Sequence, residues 1–271
     1  MSASKGILYV ATGERYVAEA MQSARSAKRQ MPDIPICLFT DKRPASTDAF
    51  DEIRIIENPR HFFADKVQPM LDSPYERTLF LDTDTLVCHS VEDVFQLLDR
   101  FDVAIAHAPM RHDRAYPTPN CFVEMNSGVI AYHKNAAVEQ MFRCWIEIYE
   151  KELKASAQPE IGDQVHLRQA IYESAVSLYI LPPEYNFRSV MPGFCARQKV
   201  RILHGRGDLE SIAQTLNATN KLRVSLPSLD FFNSDQVLIL DKPGKLFMKF
   251  FGGFVELLTR CRGGFRKHTG L

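Results

Sequence analysis

The chain has 271 residues, long enough to bury a large core in one main α/β domain. Its composition is 45% hydrophobic and 24% charged, as in an ordinary globular protein, and a formal net charge of zero excludes any overall pull toward nucleic acid. Six cysteines (Cys37, Cys88, Cys121, Cys144, Cys195, Cys261) stand singly, without the paired spacing of a zinc site or a small disulfide framework, so reduced thiols are expected.

Gly6–Thr12 reads as a short buried strand, followed by a helix over Glu14–Gln30 in which Val17, Ala20, Met21 and Ala24 recur at helical spacing. Strands are predicted at Ile34–Phe39 and Ile53–Ile56, a helix at Ala64–Leu71, and a strand at Thr78–Leu81 running directly into Asp82. Val91–Leu98 reads as helical, Val103–Ala106 and Gly128–Tyr132 as strands, and Asn135–Leu153 as a long helix with Asn135 as N-cap. This alternation predicts a mostly parallel sheet covered by helices. Between the elements, Pro109–Asn120 carries Pro, Arg, His and Asp without periodicity and reads as a functional loop.

Residues 1–240 are expected to form one domain and 241–271 a separate tail, in which Leu246–Leu258 is apolar and aromatic and Arg260, Arg262, Arg266 and Lys267 follow. Such a segment is too short to span a bilayer but suits an interfacial helix on an anionic membrane, or packing on the domain. The first sixteen residues reach polar side chains too soon for a secretory leader, and the expected place is the cytoplasm, with peripheral contact at the membrane's inner face.

The chemistry is expected at Asp82-Thr83-Asp84. Ligands of open α/β sheets gather outside the carboxyl ends of strands, and the apolar run Leu79-Phe80-Leu81 delivers two carboxylates to such a place. One residue apart, both can face a single hard cation, magnesium or manganese, which bridges diphosphate oxygens and offsets charge on a leaving group. A bare D-x-D also occurs as an exposed acidic turn, but here the approach is apolar.

Ser73 to Thr85 resembles the D-x-D region of GT-A glycosyltransferases, and is most similar to the retaining glycogenin and lipopolysaccharide-galactosyltransferase family. Asn126-Ser127-Gly128-Val129, Asp163-Gln164 and His204 follow in the family's order, so that the resemblance spans roughly residues 6 to 207. It implies a GT-A fold and metal ligation by Asp82, Asp84 and His204. Donor contacts are implied from Ala11, Thr12, Tyr16, Lys66, Thr83 and Ser127, and catalytic or sugar contacts from Asn126, Asp163 and Gln164. After His204 the sequence departs from the family's glycine, lysine, proline and tryptophan pattern: Gly205-Arg206-Gly207-Asp208 sets Arg206 where a phosphate-binding lysine is expected. The implied partners are a nucleotide-sugar donor, UDP-linked by the resemblance, and a saccharide or glycolipid acceptor.

Each residue also has a plainer reading. Asp163 suits an N-cap, His204 a strand-terminal hydrogen bond, Lys66 a solvated helix face, Tyr16 the core and Asn126 a loop closure. Tyr185-Asn186-Phe187-Arg188 resembles the family's later acceptor-side loop and receives no assigned role. Among rival functions, Leu79–Val87 approaches the nucleophile motif of haloacid-dehalogenase-type phosphatases. Leu86 occupies its Thr or Val position, and Leu167 stands where the later aspartate belongs. A sugar nucleotidyltransferase needs a Gly-rich, arginine-bearing opening loop that Ala11-Thr12-Gly13-Glu14-Arg15 does not supply. A catalytically silent carbohydrate- or partner-binding module on the same fold is the third alternative.

Overall fold

A computed structural model describes residues 4–61, 63–108, 117–155 and 162–225, and the backbone of 237–240. Most of the 109–120 loop and the whole 241–271 tail therefore lie outside the described residues. Among the described residues, no helix is long and apolar enough to cross a membrane.

The chain opens β1 (Lys5–Ala11), α1 (Glu14–Gln30), β2 (Ile36–Thr40) and β3 (Glu52–Ile55). The helix predicted at Ala64–Leu71 is a 3-10 turn (Phe63–Lys66) leading into α2 (Val67–Leu71). There follow β4 (Arg77–Leu81), β5 (Thr85–Val87), α3 (Val94–Leu97), β6 (Val103–His107), β7 (Met125–His133), α4 (Ala136–Ala155) and α5 (Gln164–Glu173). The Asn135 side chain accepts from Val138 N at 2.9 Å, the N-cap bond expected for α4.

The seven-stranded main sheet has the order β3-β2-β1-β4-β7-β6-β8, with β8 at Leu178–Ile180. Only β7 runs antiparallel to its neighbours β4 and β6. Alternation divides each strand between two cores. Ile7, Tyr9, Leu79, Leu81, Val129 and Ala131 face α1, whereas Leu8, Phe80, Ile130 and Tyr132 face α2, α4 and α5. The small residues Ala20, Ser23, Ala24 and Ala27 on the buried face of α1 let that helix lie close on the sheet.

Two small sheets complete the fold. One pairs β5 antiparallel with β11 (Ile202–His204), and β11 parallel with β9 (Phe187–Arg188). The other joins β10 (Gly193–Cys195), β12 (Leu222–Ser225) and β13 (Val237–Leu240), and α6 (Leu209–Asn217) precedes β12. These strands of two to four residues carry too little periodicity to be read from sequence.

Trp145, the chain's one tryptophan, is fully buried on α4, stacks near Phe142 and donates Nε1–H to the Asp163 carbonyl at 3.1 Å. Trp145→Ala should lower the unfolding free energy by about 3–5 kcal/mol. Urea denaturation followed by circular dichroism measures it, as a lower midpoint at unchanged slope.

Candidate metal centre

The direction of β7 builds the site. In a wholly parallel sheet only strand C-termini would gather at this edge, but an antiparallel strand brings its N-terminus to the same place. Leu81 pairs with Val129, and Asp82 N–H donates to the Gly128 carbonyl at 2.8 Å. Asn126, Ser127 and Gly128 therefore lie beside Asp82 because β7 begins at Met125, three residues before the predicted start.

The Asp82–Asp84 turn joins β4 of the main sheet to β5 of the small one. A buried ladder pins it from beneath, since Thr85 Oγ1 donates to the Asp82 carbonyl at 2.8 Å and meets Ser23 Oγ at 2.7 Å, which meets Tyr9 OH at 2.9 Å. His204 pairs with Thr85 across β11–β5, and its Nε2 stands 3.3 Å from Asp84 Oδ1 and 3.9 Å from Asp82 Oδ2. One ligand atom from each of Asp82, Asp84 and His204 falls within 4.8 Å of the others. Gly128 makes that convergence possible: a Cβ there would lie 2.2 Å from His204 Cε1 and 2.6 Å from Asp82 Oδ2.

Hydrogen-bond polarity runs through the site from one backbone group. Gly128 N–H must donate, so the Asn126 atom it meets at 3.2 Å is Oδ1. That oxygen also accepts from Asn186 Nδ2 at 2.7 Å, which turns Asn186 Oδ1 toward His204 Nδ1 at 2.9 Å. An acceptor at that position holds a proton on Nδ1 and so aims Nε2 at the two carboxylates. Nε2 can hydrogen-bond to Asp84 or, with its proton displaced, ligate a cation lying among the three groups. One nitrogen and two carboxylates suit a divalent ion such as manganese or magnesium, so the residues fit the metal that the D-x-D reading implies.

The same chain runs the other way. Asn126 Nδ2 donates to Gln164 Oε1, and Gln164 Nε2 donates to Glu124 Oε1 at 3.1 Å. Glu124, deeply buried, escaped the sequence reading because nothing local marks it, and Asn186, likewise buried, stood in a stretch that was given no role. Asn186→Ala should lower divalent-cation affinity about 10- to 100-fold by freeing the His204 ring, with thermal unfolding little changed. Titration with Mn2+ measures it, and an unaltered affinity would remove Asn186 from the ligand's support.

Lys66 is buried and is no solvated surface cation. Its Nζ lies 2.6 Å from Asp163 Oδ2, 3.2 Å from Asp82 Oδ1 and 3.1 Å from Ser127 Oγ, so its three N–H donors serve these groups. Burial disfavours its charge, but Asp163 and Asp82 outweigh that and hold its pKa above the ordinary lysine value. Burial raises the Asp82 pKa against the pull of Lys66 and His204. Asp84 feels the same burial, yet the His204 hydrogen bond and the nearby positive charges bring it below the usual range.

Asp163 occupies the N-cap position of α5 but makes no side-chain cap bond, and its carboxylate goes to Lys66 instead. Ser127 is buried under the site, in contact with Lys66. Thr83 Oγ1 donates to Glu19 Oε2 at 3.1 Å and so turns away from the ligand set. Arg206, half-exposed, bridges Asp84 Oδ2 at 3.5 Å and Glu19 Oε1 at 3.4 Å. Ala11 and Thr12 end β1 at this edge, and Tyr16 is exposed on α1, outside the core and within electrostatic reach of Arg206.

No family model and no curated protein matches the chain. Solved structures do. The apo form of the glycosyltransferase GlyE of Streptococcus pneumoniae TIGR4 superposes with a TM-score of 0.57 at 18% identity, over 80% of this chain and 61% of that one. The chain thus spans less than two thirds of GlyE's length. The galactosyltransferase LgtC, in complex with donor and acceptor sugar analogues, superposes with a TM-score of 0.52 at 15% identity, over 79% of this chain and 97% of LgtC. At these identities the likeness establishes the fold, a GT-A glycosyltransferase fold, as the D-x-D resemblance implied.

Proposed function

We propose that this chain is a metal-dependent glycosyltransferase. It moves a hexose from a nucleotide diphosphate sugar, UDP-linked, to a hydroxyl of a saccharide or glycolipid, with retention at the anomeric carbon. The observation that carries this reading is the convergence of Asp82, Asp84 and His204 Nε2 at the mouth of the sheet. Its fold neighbours GlyE and LgtC are glycosyltransferases, and the second was solved with donor and acceptor sugar analogues, which supports the substrate classes.

In the reaction the acceptor oxygen bonds to the anomeric carbon, the bond from that carbon to the phosphate oxygen breaks, and the acceptor proton passes to the departing diphosphate. Asp82, Asp84 and His204 would hold a divalent ion, which would supply Lewis-acid stabilisation of charge on that leaving group. Asp163 is held by Lys66 and, through its backbone, by the Trp145 indole, so it presents fixed acceptor capacity to sugar hydroxyls. Gln164 is held at both ends of its amide by Asn126 and Glu124, which fixes its carbonyl oxygen without making it a base. Among the described residues these groups are positioned by one another and none is placed as a general base, an arrangement that suits retention.

The test offers a panel of nucleotide diphosphate sugars with manganese, follows release of nucleoside diphosphate, and repeats it with chelator. Consumption of one donor class, lost with chelator, is expected. A folded protein that consumes none of them under any cation contradicts the proposal.

A further inference from the structure

The Arg188 guanidinium, on the same side of the small sheet as His204, has no hydrogen bond or ion pair within the described residues, and its Nε is buried. A guanidinium carries five N–H donors, and folded proteins rarely leave them unsatisfied when enclosed. Arg168 and Arg223, whose Nε atoms are buried likewise, spend their other donors on carbonyls: Arg168 on Pro119 at 2.9 Å, and Arg223 on Thr219 and Lys221 at 2.9 Å. Arg206 is committed to Glu19 and Asp84.

Local structure aims Arg188 at the metal centre. In the parallel pair β9–β11, Phe187 lies opposite Leu203 and Arg188 opposite His204. Phe187 faces the small core with Leu86, Val200 and Leu203, so alternation sends Arg188 to the other face, which Asn186 and His204 share. Gly205 lets the chain just after Arg188 lie close against β11, because a Cβ there would meet Ser189 Oγ at 2.0 Å. Burial lowers the Arg188 pKa, and the charges of Asp84 and Asp82 act on it across space in the opposite sense.

Charge accounting says what is missing. Lys66, Arg188 and Arg206 already match Asp82, Asp84 and Asp163, and Arg15 matches Glu19, so a divalent cation bound here leaves two positive charges for a ligand to meet. We propose that Arg188 is a donor-binding residue whose guanidinium takes the diphosphate oxygens of the metal-bound nucleotide. This rests on the glycosyltransferase reading above. The planar fork suits two phosphate oxygens at once, a geometry that a lysine does not reproduce.

The experiment titrates UDP in the presence of Mn2+, uridine, and Mn2+ alone into wild type, Arg188→Met and Arg188→Lys, with thermal unfolding of each protein free of ligand. Arg188→Met should weaken UDP about 10- to 100-fold and leave Mn2+ and uridine within a few-fold, and Arg188→Lys should recover part of the loss. Without ligand, the Met variant should unfold at the same or a higher temperature, because it removes an enclosed, unpaired charge. Unchanged UDP affinity in Arg188→Met, or an equal loss for UDP and uridine, overturns the assignment of Arg188 alone. Failure of the wild type to bind any nucleoside diphosphate with Mn2+ overturns the glycosyltransferase reading and this proposal with it.

Discussion

Asp84→Asn should lower divalent-cation affinity by about a hundredfold or more and abolish cation-dependent donor binding, while the protein stays folded. The substitution keeps the side chain's volume and an acceptor oxygen but removes one of the two anionic oxygen ligands. Merely loosening a ligand's support costs about 10- to 100-fold, so removing a ligand's charge costs at least the upper end of that range. Asp84 is also the group that balances Arg206 at 3.5 Å and faces His204 Nε2 at 3.3 Å. Its neutralisation leaves the Arg206 guanidinium paired with Glu19, so global stability should change by less than about 1 kcal/mol. Loss of the free-ion Mn2+ resonance on titration with protein reports binding directly, and a variant that quenches it as the wild type does removes Asp84 from the ligand set.

Gly128→Ala should be nearly as damaging to the site, although it adds only one uncharged methyl group. The added Cβ would overlap His204 Cε1 at 2.2 Å and Asp82 Oδ2 at 2.6 Å. The strand cannot retreat, because β7 is held between β4 and β6 and its Gly128 carbonyl accepts from Asp82 N at 2.8 Å. The side chains must move instead, and both are ligands. Overpacking of this kind costs about 1–3 kcal/mol of stability. Cation affinity should fall by about a hundredfold or more, since two ligands lose their geometry together. The two effects separate by comparing urea midpoints with Mn2+ titrations. A stable variant that retains wild-type affinity would show that His204 does not need the space above Gly128.

The sequence reveals this fold unevenly, for physical reasons. α1 was legible to the residue, because a 17-residue amphipathic segment repeats its pattern many times. β7 was legible as a strand but not as the antiparallel member of the sheet, since alternation records which side chains are buried and not which way the chain runs. That direction brings Asn126 to Asp82. Of the β5-β11-β9 sheet only a strand ending at His204 was legible, and the roles of Asn186 and Arg188, which meet His204 only through pairing across fifteen or more intervening positions, were not. Asp82 and Asp84 were visible because an apolar strand that ends in two acids is a local pattern with a chemical reason. Lys66 was visible as a cation near them, but its burial between Asp82 and Asp163 belongs to tertiary structure.

The most direct test of the central claim, that Asp82, Asp84 and His204 hold a divalent ion on which a nucleoside diphosphate assembles, is calorimetric titration of nucleoside diphosphates with manganese and then with chelator, on wild type and Asp84→Asn. The account predicts binding of one nucleoside diphosphate that requires manganese and is lost in the variant. Binding that persists in chelator, or that survives in Asp84→Asn, would contradict it.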